Sequence, residues 1–148
     1  MTACSKRPQA IARIKGGAEH PGIRGELRFY QECGRVLVAA HISGLPEDSE
    51  TGFFGFHIHE GKSCGGENFS DTGGHYNPTL MPHPCHAGDL PPLMRCGGEA
   101  HMVLRTDRFR VEDIIGRTVV IHGEPDDFRS QHAGNAGMKI ACGVIRKA

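Results

Sequence analysis

Residues 23–43 read IRGELRFYQECGRVLVAAHIS, and this stretch decides the fold class. Apolar and polar residues alternate with a period of two over 23–30 and again over 35–42, with a turn signal at Gly34 between the two runs. Because successive side chains of a β-strand point to opposite faces, this alternation predicts two neighbouring strands that each bury one face.

The same period recurs along the rest of the chain, whose 148 residues include 21 Gly and 9 Pro to supply turns. Strands are predicted near 9–15, 22–31, 35–43, 52–59, 100–106, 117–122 and 138–145. Only 111–116 suggests a short turn of helix. Many short strands with Gly- and Pro-rich turns are typical of an antiparallel β-sandwich or barrel, so we expect one all-β domain over residues 1–148.

The charge composition of the chain bears on which binding partners are expected. Lys and Arg together number 17, as do Asp and Glu, so the formal net charge is zero. This balance gives no electrostatic reason to expect nucleic acid or an anionic membrane as a partner, and no apolar run is long enough to span a bilayer. Residues 1–9 are polar and lack the apolar stretch of a signal peptide. We expect a cytoplasmic protein, or an exported one whose signal has been removed.

The segment 60–98 does not follow the strand pattern. It is dense in Gly, Pro, His and Cys and shows little alternation. A loop of this length in a compact domain needs something besides a hydrophobic core to order it, and a bound metal ion would do so.

Histidines in and around this loop form a candidate metal centre. His57 and His59 lie two apart on a predicted strand and therefore share a face, and His122 ends a later strand. These strand residues supply an all-nitrogen set that suits copper, whereas the loop residues His83, His86 and Asp89 supply a set that zinc takes readily. One His-x-His pair is usually only a surface feature, but the whole set, with His75, predicts at least one metal site.

At these residues the chain resembles the copper/zinc superoxide dismutases. The resemblance runs in order from about Ala10 to Ile145 and rests on four segments, Gly55-Phe56-His57-Ile58-His59-Glu60, Gly74-His75-Tyr76-Asn77-Pro78, His86-Ala87-Gly88-Asp89-Leu90 and Gly134-Asn135-Ala136-Gly137 through Ala141-Cys142-Gly143-Val144-Ile145. The fold that it implies is a Greek-key, eight-stranded antiparallel β-sandwich or barrel of immunoglobulin-like architecture, with long metal-binding loops.

The resemblance also implies a role for each residue that matches the family's motifs. Copper would be bound by His57, His59, His75 and His122, and zinc by His75, His83, His86 and Asp89, so that His75 bridges the two ions. Asp126 would be the carboxylate that links a ligand of each metal. Cys64 and Cys142 would form a disulfide between the metal loop and the last strand.

The activity implied is the dismutation of superoxide anion, in which His75 and the residue at position 139 take part. Here the chain departs from the family, because Lys139 stands where an arginine is usual, and the loop 127–133 is shorter than usual. Lysine keeps the positive charge but not the planar pair of donors, so we expect slower turnover. The alternative is a non-enzymatic domain of this family that is zinc-stabilised or handles copper.

The roles of the remaining cysteines and histidines stay open. Cys85 and Cys96 are candidates for a second disulfide, and Cys85 is also an alternative zinc ligand. Cys4 and Cys33 either pair or are free. Four further histidines, His20, His41, His101 and His132, are expected to be ordinary surface or loop residues. The oligomeric state stays open, with a homodimer as one candidate.

Overall fold

The computed structural model describes residues 7–148 of the chain, which are mainly β-structure. The strands are β1 (Ala10–Gly16), β2 (Arg24–Glu32), β3 (Arg35–Ser43), β4 (Phe53–Phe54), β5 (Phe56–His59), β6 (Leu93–Met94), β7 (Ala100–Thr106), β8 (Thr118–His122) and β9 (Lys139–Lys147). A short α-helix, α1 (Val111–Ile114), and an irregular 3-10 helix (Glu67–Thr72) complete the described elements. No helix in 7–148 has the length and apolar character needed to cross a membrane.

Seven of the strands form one antiparallel sheet in the order β5-β8-β9-β1-β2-β3-β7. The chain runs through β1, β2 and β3 as a meander, crosses to one edge for β5, returns to the other edge for β7, and crosses again for β8. Connections of this kind are those of a Greek key. The predicted antiparallel, all-β fold class is therefore confirmed.

The turn between β2 and β3 is a two-residue hairpin. Glu32 pairs with Arg35, so that Cys33 and Gly34 make the connection, and Gly34 has a φ of 73°. Glycine adopts this left-handed conformation without the steric cost that a Cβ would bring, which explains the turn signal at this position.

The strand predicted at 52–59 is divided at Gly55. Before it, β4 pairs with β6 in a separate two-stranded ribbon, and after it β5 pairs with β8 in the main sheet. Gly55 lies so close to the loop after β8 that a Cβ would stand 2.6 Å from the Cβ of Ala136. Its N–H donates to the Glu124 carbonyl at 2.8 Å, which turns the backbone away from a continuous ladder.

Burial alternates along β1, β3 and β7, as the sequence pattern predicts, but not along β5, β8 and the first half of β9. Every residue of β5 and β8 is buried, because the sheet's core covers one face and the long loop covers the other. Large side chains such as Phe29, Phe54 and Phe56 fill the core. A histidine on the outer face of β5 or β8 is consequently enclosed by the loop rather than exposed to solvent.

Candidate metal centre

The long loop is folded back onto β5 by backbone pairing. His57 forms an isolated antiparallel bridge with Asp89, and His59 forms another with His75. The N–H and carbonyl of Ile58, between the two histidines, are both hydrogen-bonded to loop residues at 2.8 Å. This pairing sets the loop's histidines against those of the strand.

The first cluster consists of His57, His59, His75 and His122, all buried, with ligand atoms that lie within 4.8 Å of one another. His59 Nδ1 lies 2.8 Å from the Gly73 carbonyl oxygen, and His122 Nδ1 lies 3.2 Å from the Gly137 carbonyl oxygen. A carbonyl oxygen can only accept, so each Nδ1 carries the proton and each Nε2 keeps its lone pair.

These two Nε2 atoms lie 3.2 Å apart, and neither has a proton to donate to the other. Two ligands held at the usual zinc–nitrogen distance in a tetrahedral set are separated by about 3.3 Å. A cation bound by both atoms would relieve the repulsion between the two facing lone pairs. The spacing and the tautomers of His59 and His122 therefore fit a metal ion.

Two further atoms of this cluster are buried without a hydrogen-bond partner, His57 Nδ1 and His75 Nε2. His57 uses its other nitrogen, Nε2, to donate to Asp126 Oδ2 at 2.8 Å, which leaves Nδ1 as a free lone pair. Buried polar atoms are nearly always paired, and an unpaired one calls for an explanation. A metal ion ligated by both atoms provides that explanation.

The second cluster consists of His75, His83, His86 and Asp89. His75 Nδ1 lies 2.8 Å from Asp89 Oδ1 and 3.2 Å from His86 Nδ1. His83 Nδ1 lies 3.1 Å from Asp89 Oδ2 yet makes no hydrogen bond, because His83 donates from Nε2 to Asp126. Three imidazole nitrogens and one carboxylate in this arrangement are a typical zinc-binding set.

A single carboxylate joins the two clusters. Asp126 accepts from His57 through Oδ2 and from His83 through Oδ1, each at 2.8 Å, and it also accepts from the Phe128 N–H at 2.7 Å. Burial opposes the ionisation of Asp126, but these hydrogen bonds outweigh it and hold its pKa well below the usual value. The ionised carboxylate fixes the orientation and tautomer of one histidine in each cluster.

Four of the imidazoles favour the neutral form that metal ligation requires. Burial lowers the pKa of His59 to about 2 and that of His122 to about 3. Burial also lowers the pKa values of His57 and His86. For Asp89, burial opposes ionisation, but the hydrogen bond from His75 and the other nearby histidines outweigh it and hold its pKa below the usual value.

The structure brings together all seven side chains that the sequence indicated as metal ligands. His75 belongs to both clusters, with Nε2 directed to the first and Nδ1 to the second. The all-nitrogen set suits copper and the set containing Asp89 suits zinc. The residues present therefore fit the copper and zinc ions that the resemblance implies.

Lys139 lies beside the first cluster, at the start of β9 and opposite His122. Its Nζ donates to Thr72 Oγ1 at 2.7 Å and to the Gly73 carbonyl at 3.1 Å. The same carbonyl accepts from His59. Burial lowers the pKa of Lys139.

Sequence reasoning missed the neighbours that hold these residues in place. Thr72 binds Lys139, and the carbonyls of Gly73 and Gly137 select the tautomers of two histidines. Backbone carbonyls leave no side-chain signal in a sequence. The one sequence feature that could have indicated such a backbone contact is the Gly-Gly pair before His75.

One predicted disulfide is present and the other is not. Cys64 and Cys142 are bonded, with their Cα atoms 5.8 Å apart, and so connect the metal loop to β9. Cys85 and Cys96 are both free and exposed, which corrects the suggested second disulfide. Each lies in its own turn, Cys85 with its N–H bonded to the Pro82 carbonyl and Cys96 bonded twice to the backbone of Glu99 beyond β6.

Neither Cys85 nor Cys33 belongs to the buried metal centre. The second cluster takes its four ligands from three histidines and Asp89, so the structure does not support Cys85 as a zinc ligand. Cys33 is free and exposed, and its candidate partner Cys4 lies outside the described residues.

Comparison with known proteins bears directly on this geometry. The family model described as copper/zinc superoxide dismutase matches residues 23–145. The chain belongs to the copper/zinc superoxide dismutase family. Members of this family use copper and zinc, in agreement with the two histidine clusters, and are oxidoreductases.

Several named members are similar over most of the chain. Superoxide dismutase [Cu-Zn] 2 of Aquifex aeolicus (strain VF5) is 35% identical over 137 residues, which cover 82% of this chain and 78% of that protein. Superoxide dismutase [Cu-Zn] 3 of Arabidopsis thaliana is 35% identical over 155 residues, covering 93% of this chain and 89% of that protein. The extracellular superoxide dismutase [Cu-Zn] of Rattus norvegicus is 30% identical, covering 97% of this chain and 64% of that protein.

Proposed function

We propose that the protein converts two superoxide anions and two protons into oxygen and hydrogen peroxide. Copper would be held by His57, His59, His75 and His122, and zinc by His75, His83, His86 and Asp89. The observation that carries this proposal is the position of His75, which presents an unpaired, buried Nε2 to one cluster and Nδ1 to the other.

When bound, copper would supply one-electron redox chemistry, and zinc, which has no accessible second oxidation state, would order the loop and hold the shared histidine. The chain's own residues prepare this site. The carbonyl of Gly73 orients His59, and Asp126 orients one histidine in each cluster. His75 Nε2 faces the first cluster without a partner. When it is not bound to copper, this atom would be free to take up a proton for the product.

Lys139 would attract the anionic substrate to this site, with slower turnover than an arginine would give. An ammonium group has three N–H donors, and two of them already bind Thr72 and Gly73. One donor then remains for superoxide. A guanidinium has five donors in a planar fork and can bind protein and anion together.

The decisive experiment measures superoxide dismutation by protein loaded with both metals. Activity should require copper. It should be lost in His59→Ala, because this variant lacks one imidazole of the first cluster. His20→Ala is a matched control, because His20 belongs to neither cluster, and it should retain full activity. Failure to dismutate superoxide at full copper occupancy would contradict the proposal.

The second candidate is a non-enzymatic member of the family that is zinc-stabilised or handles copper. It is favoured by the hydrogen bonds from Lys139 to Thr72 and Gly73, which leave only one N–H donor of the ammonium group for an anion. Copper added to zinc-loaded protein distinguishes these functions through its visible d–d band. A band without dismutation supports copper handling, and the absence of both supports a structural zinc domain.

A further inference from the structure

A third group of metal-ligating side chains lies away from both buried clusters, on the exposed surface of the sheet. It consists of His41 on β3, His101 on β7 and Glu99 just before β7, whose ligand atoms lie within 4.8 Å of one another. The three side chains are 55%, 67% and 50% exposed, so an ion from solvent can reach them without any rearrangement of the core.

The sheet itself brings these residues together. His41 and His101 are directly paired across β3 and β7, so their side chains stand on the same face. Their rings are stacked, with centroids 4.2 Å apart and an angle of 11° between the planes. Glu99 is two residues before His101 and lies on that same face. The backbone ladder therefore holds the two imidazoles side by side before any ligand arrives.

Each carboxylate oxygen of Glu99 lies near one of the two rings. Glu99 Oε1 lies 3.6 Å from His41 Nε2, and Glu99 Oε2 lies 3.4 Å from His101 Nε2. Both distances are long for a charge-assisted hydrogen bond, which is usually below about 2.9 Å. They are close to the separation of about 3.3 Å between neighbouring ligands around a tetrahedral zinc ion. A cation placed between the three groups would satisfy all of them.

We propose that His41, His101 and Glu99 form a third, solvent-accessible site for a divalent transition-metal ion of the zinc or copper(II) type. Two imidazoles and one carboxylate are a ligand set that both metals accept, with the remaining positions filled by water. Because the ligands are exposed, the site exchanges its ion with solvent far more readily than the buried clusters. It is independent of the proposed dismutase activity.

The test uses Zn²⁺ as the probe and the untagged full-length protein loaded with copper and zinc. Exposed thiols are first alkylated, because Cys33, Cys85 and Cys96 would also bind zinc. Isothermal titration then counts Zn²⁺ equivalents in the wild-type chain and in the His41→Ala/His101→Ala double variant. We expect the wild-type chain to bind one more equivalent than the double variant. Incomplete loading of the buried clusters affects both proteins equally and does not change this difference.

Two further variants test whether the additional Zn²⁺ ion binds at this group of residues. Glu99→Gln keeps the shape of the side chain but removes its charge, and we expect it to weaken this binding by about tenfold or more. His20→Ala removes a histidine outside this group and should leave the Zn²⁺ stoichiometry and affinity unchanged. Equal Zn²⁺ stoichiometry in the wild-type chain and the double variant, with unaltered thermal midpoints, would overturn the proposal whether or not the protein dismutates superoxide.

Discussion

At the scale of single residues, Asp126 links the two halves of the buried centre. Its carboxylate contacts His57 of the first cluster and His83 of the second, both at 2.8 Å. Gly134 lies against it so closely that a Cβ would stand 2.0 Å from Asp126 Oδ1. Any side chain at position 134 would therefore collide with this carboxylate.

We expect Asp126→Asn to weaken the binding of both metals by about 10–100-fold, since an amide removes the charge and turns one accepting oxygen into a donor. The measurement is a competition titration of copper and of zinc with a chelator. Asp127→Asn is the matched control, because Asp127 only accepts from Arg129 and Ser130 in an exposed loop. Equal affinities in Asp126→Asn and Asp127→Asn would show that the link to the histidines has no effect on binding.

A second prediction concerns Lys139. We expect Lys139→Arg to raise the kcat/KM for superoxide several-fold, because the fork-shaped guanidinium offers more donors than the ammonium, two of whose donors are already occupied. Lys139→Ala should lower the same quantity and reduce its dependence on ionic strength. The check is a direct decay measurement of superoxide at several salt concentrations. A rate in Lys139→Arg no higher than in the wild-type chain would refute this account of position 139.

At the scale of elements, the metal loop is held by three kinds of contact. Backbone pairing with β5 holds its centre, the histidine clusters hold its two sides, and the bond between Cys64 and Cys142 attaches its first part to β9. The loop in turn covers the outer face of β5 and β8, which is why these strands lack exposed positions. Order in the loop and burial of the strands therefore depend on each other.

We expect the double variant Cys64→Ser/Cys142→Ser to lose about 2–5 kcal/mol of unfolding free energy, because the bond closes a sequence separation of 78 residues. Urea unfolding of metal-free protein under non-reducing conditions measures this loss. Cys85→Ser/Cys96→Ser is the control, and it should unfold as the wild-type chain does, since both thiols are free and exposed. A comparable loss in the control pair would mean that serine itself, rather than the missing bond, lowers the stability.

At the scale of the whole molecule, stability of the metal-free protein should depend on pH through its buried histidines. Burial lowers the pKa values of His59 and His122 from 6.5 to about 2 and about 3. Between about pH 3 and 6.5 the unfolded chain binds these protons and the folded chain does not. Stability is therefore complete above pH 6.5 and declines as the pH falls through this range.

The expected decline is about 2.6 kcal/mol per pH unit near pH 5, since the unfolded chain holds nearly both protons there and each histidine contributes up to about 1.4. Urea unfolding of metal-free protein at pH 7 and pH 5 measures it. In His59→Gln/His122→Gln, which removes both groups, the dependence should be shallower. A wild-type unfolding free energy that is the same at both pH values would contradict the prediction.

The sequence by itself determined most of the strands and the identity of the candidate ligands, but not β6, which lies within the segment 60–98. Strand formation depends on the local alternation of apolar and polar residues, which is readable at 23–43 without any long-range information. Ligand identity was likewise available, because His57 and His59 share a strand face and the loop concentrates donor residues. The division at Gly55 was not predictable, since its cause is close approach to Ala136, a residue distant in sequence.

Two features were decided only by the tertiary structure. One is which nitrogen of a histidine is free to bind a metal, and the other is which residues outside any sequence motif come into contact. The free nitrogen of His59 depends on the position of the Gly73 carbonyl, and backbone carbonyls are placed by long-range pairing rather than by local sequence. The stacking of His41 on His101 follows from the register of β3 against β7. Register is set by packing of the whole sheet, so these two histidines looked like ordinary surface residues until the sheet was assembled.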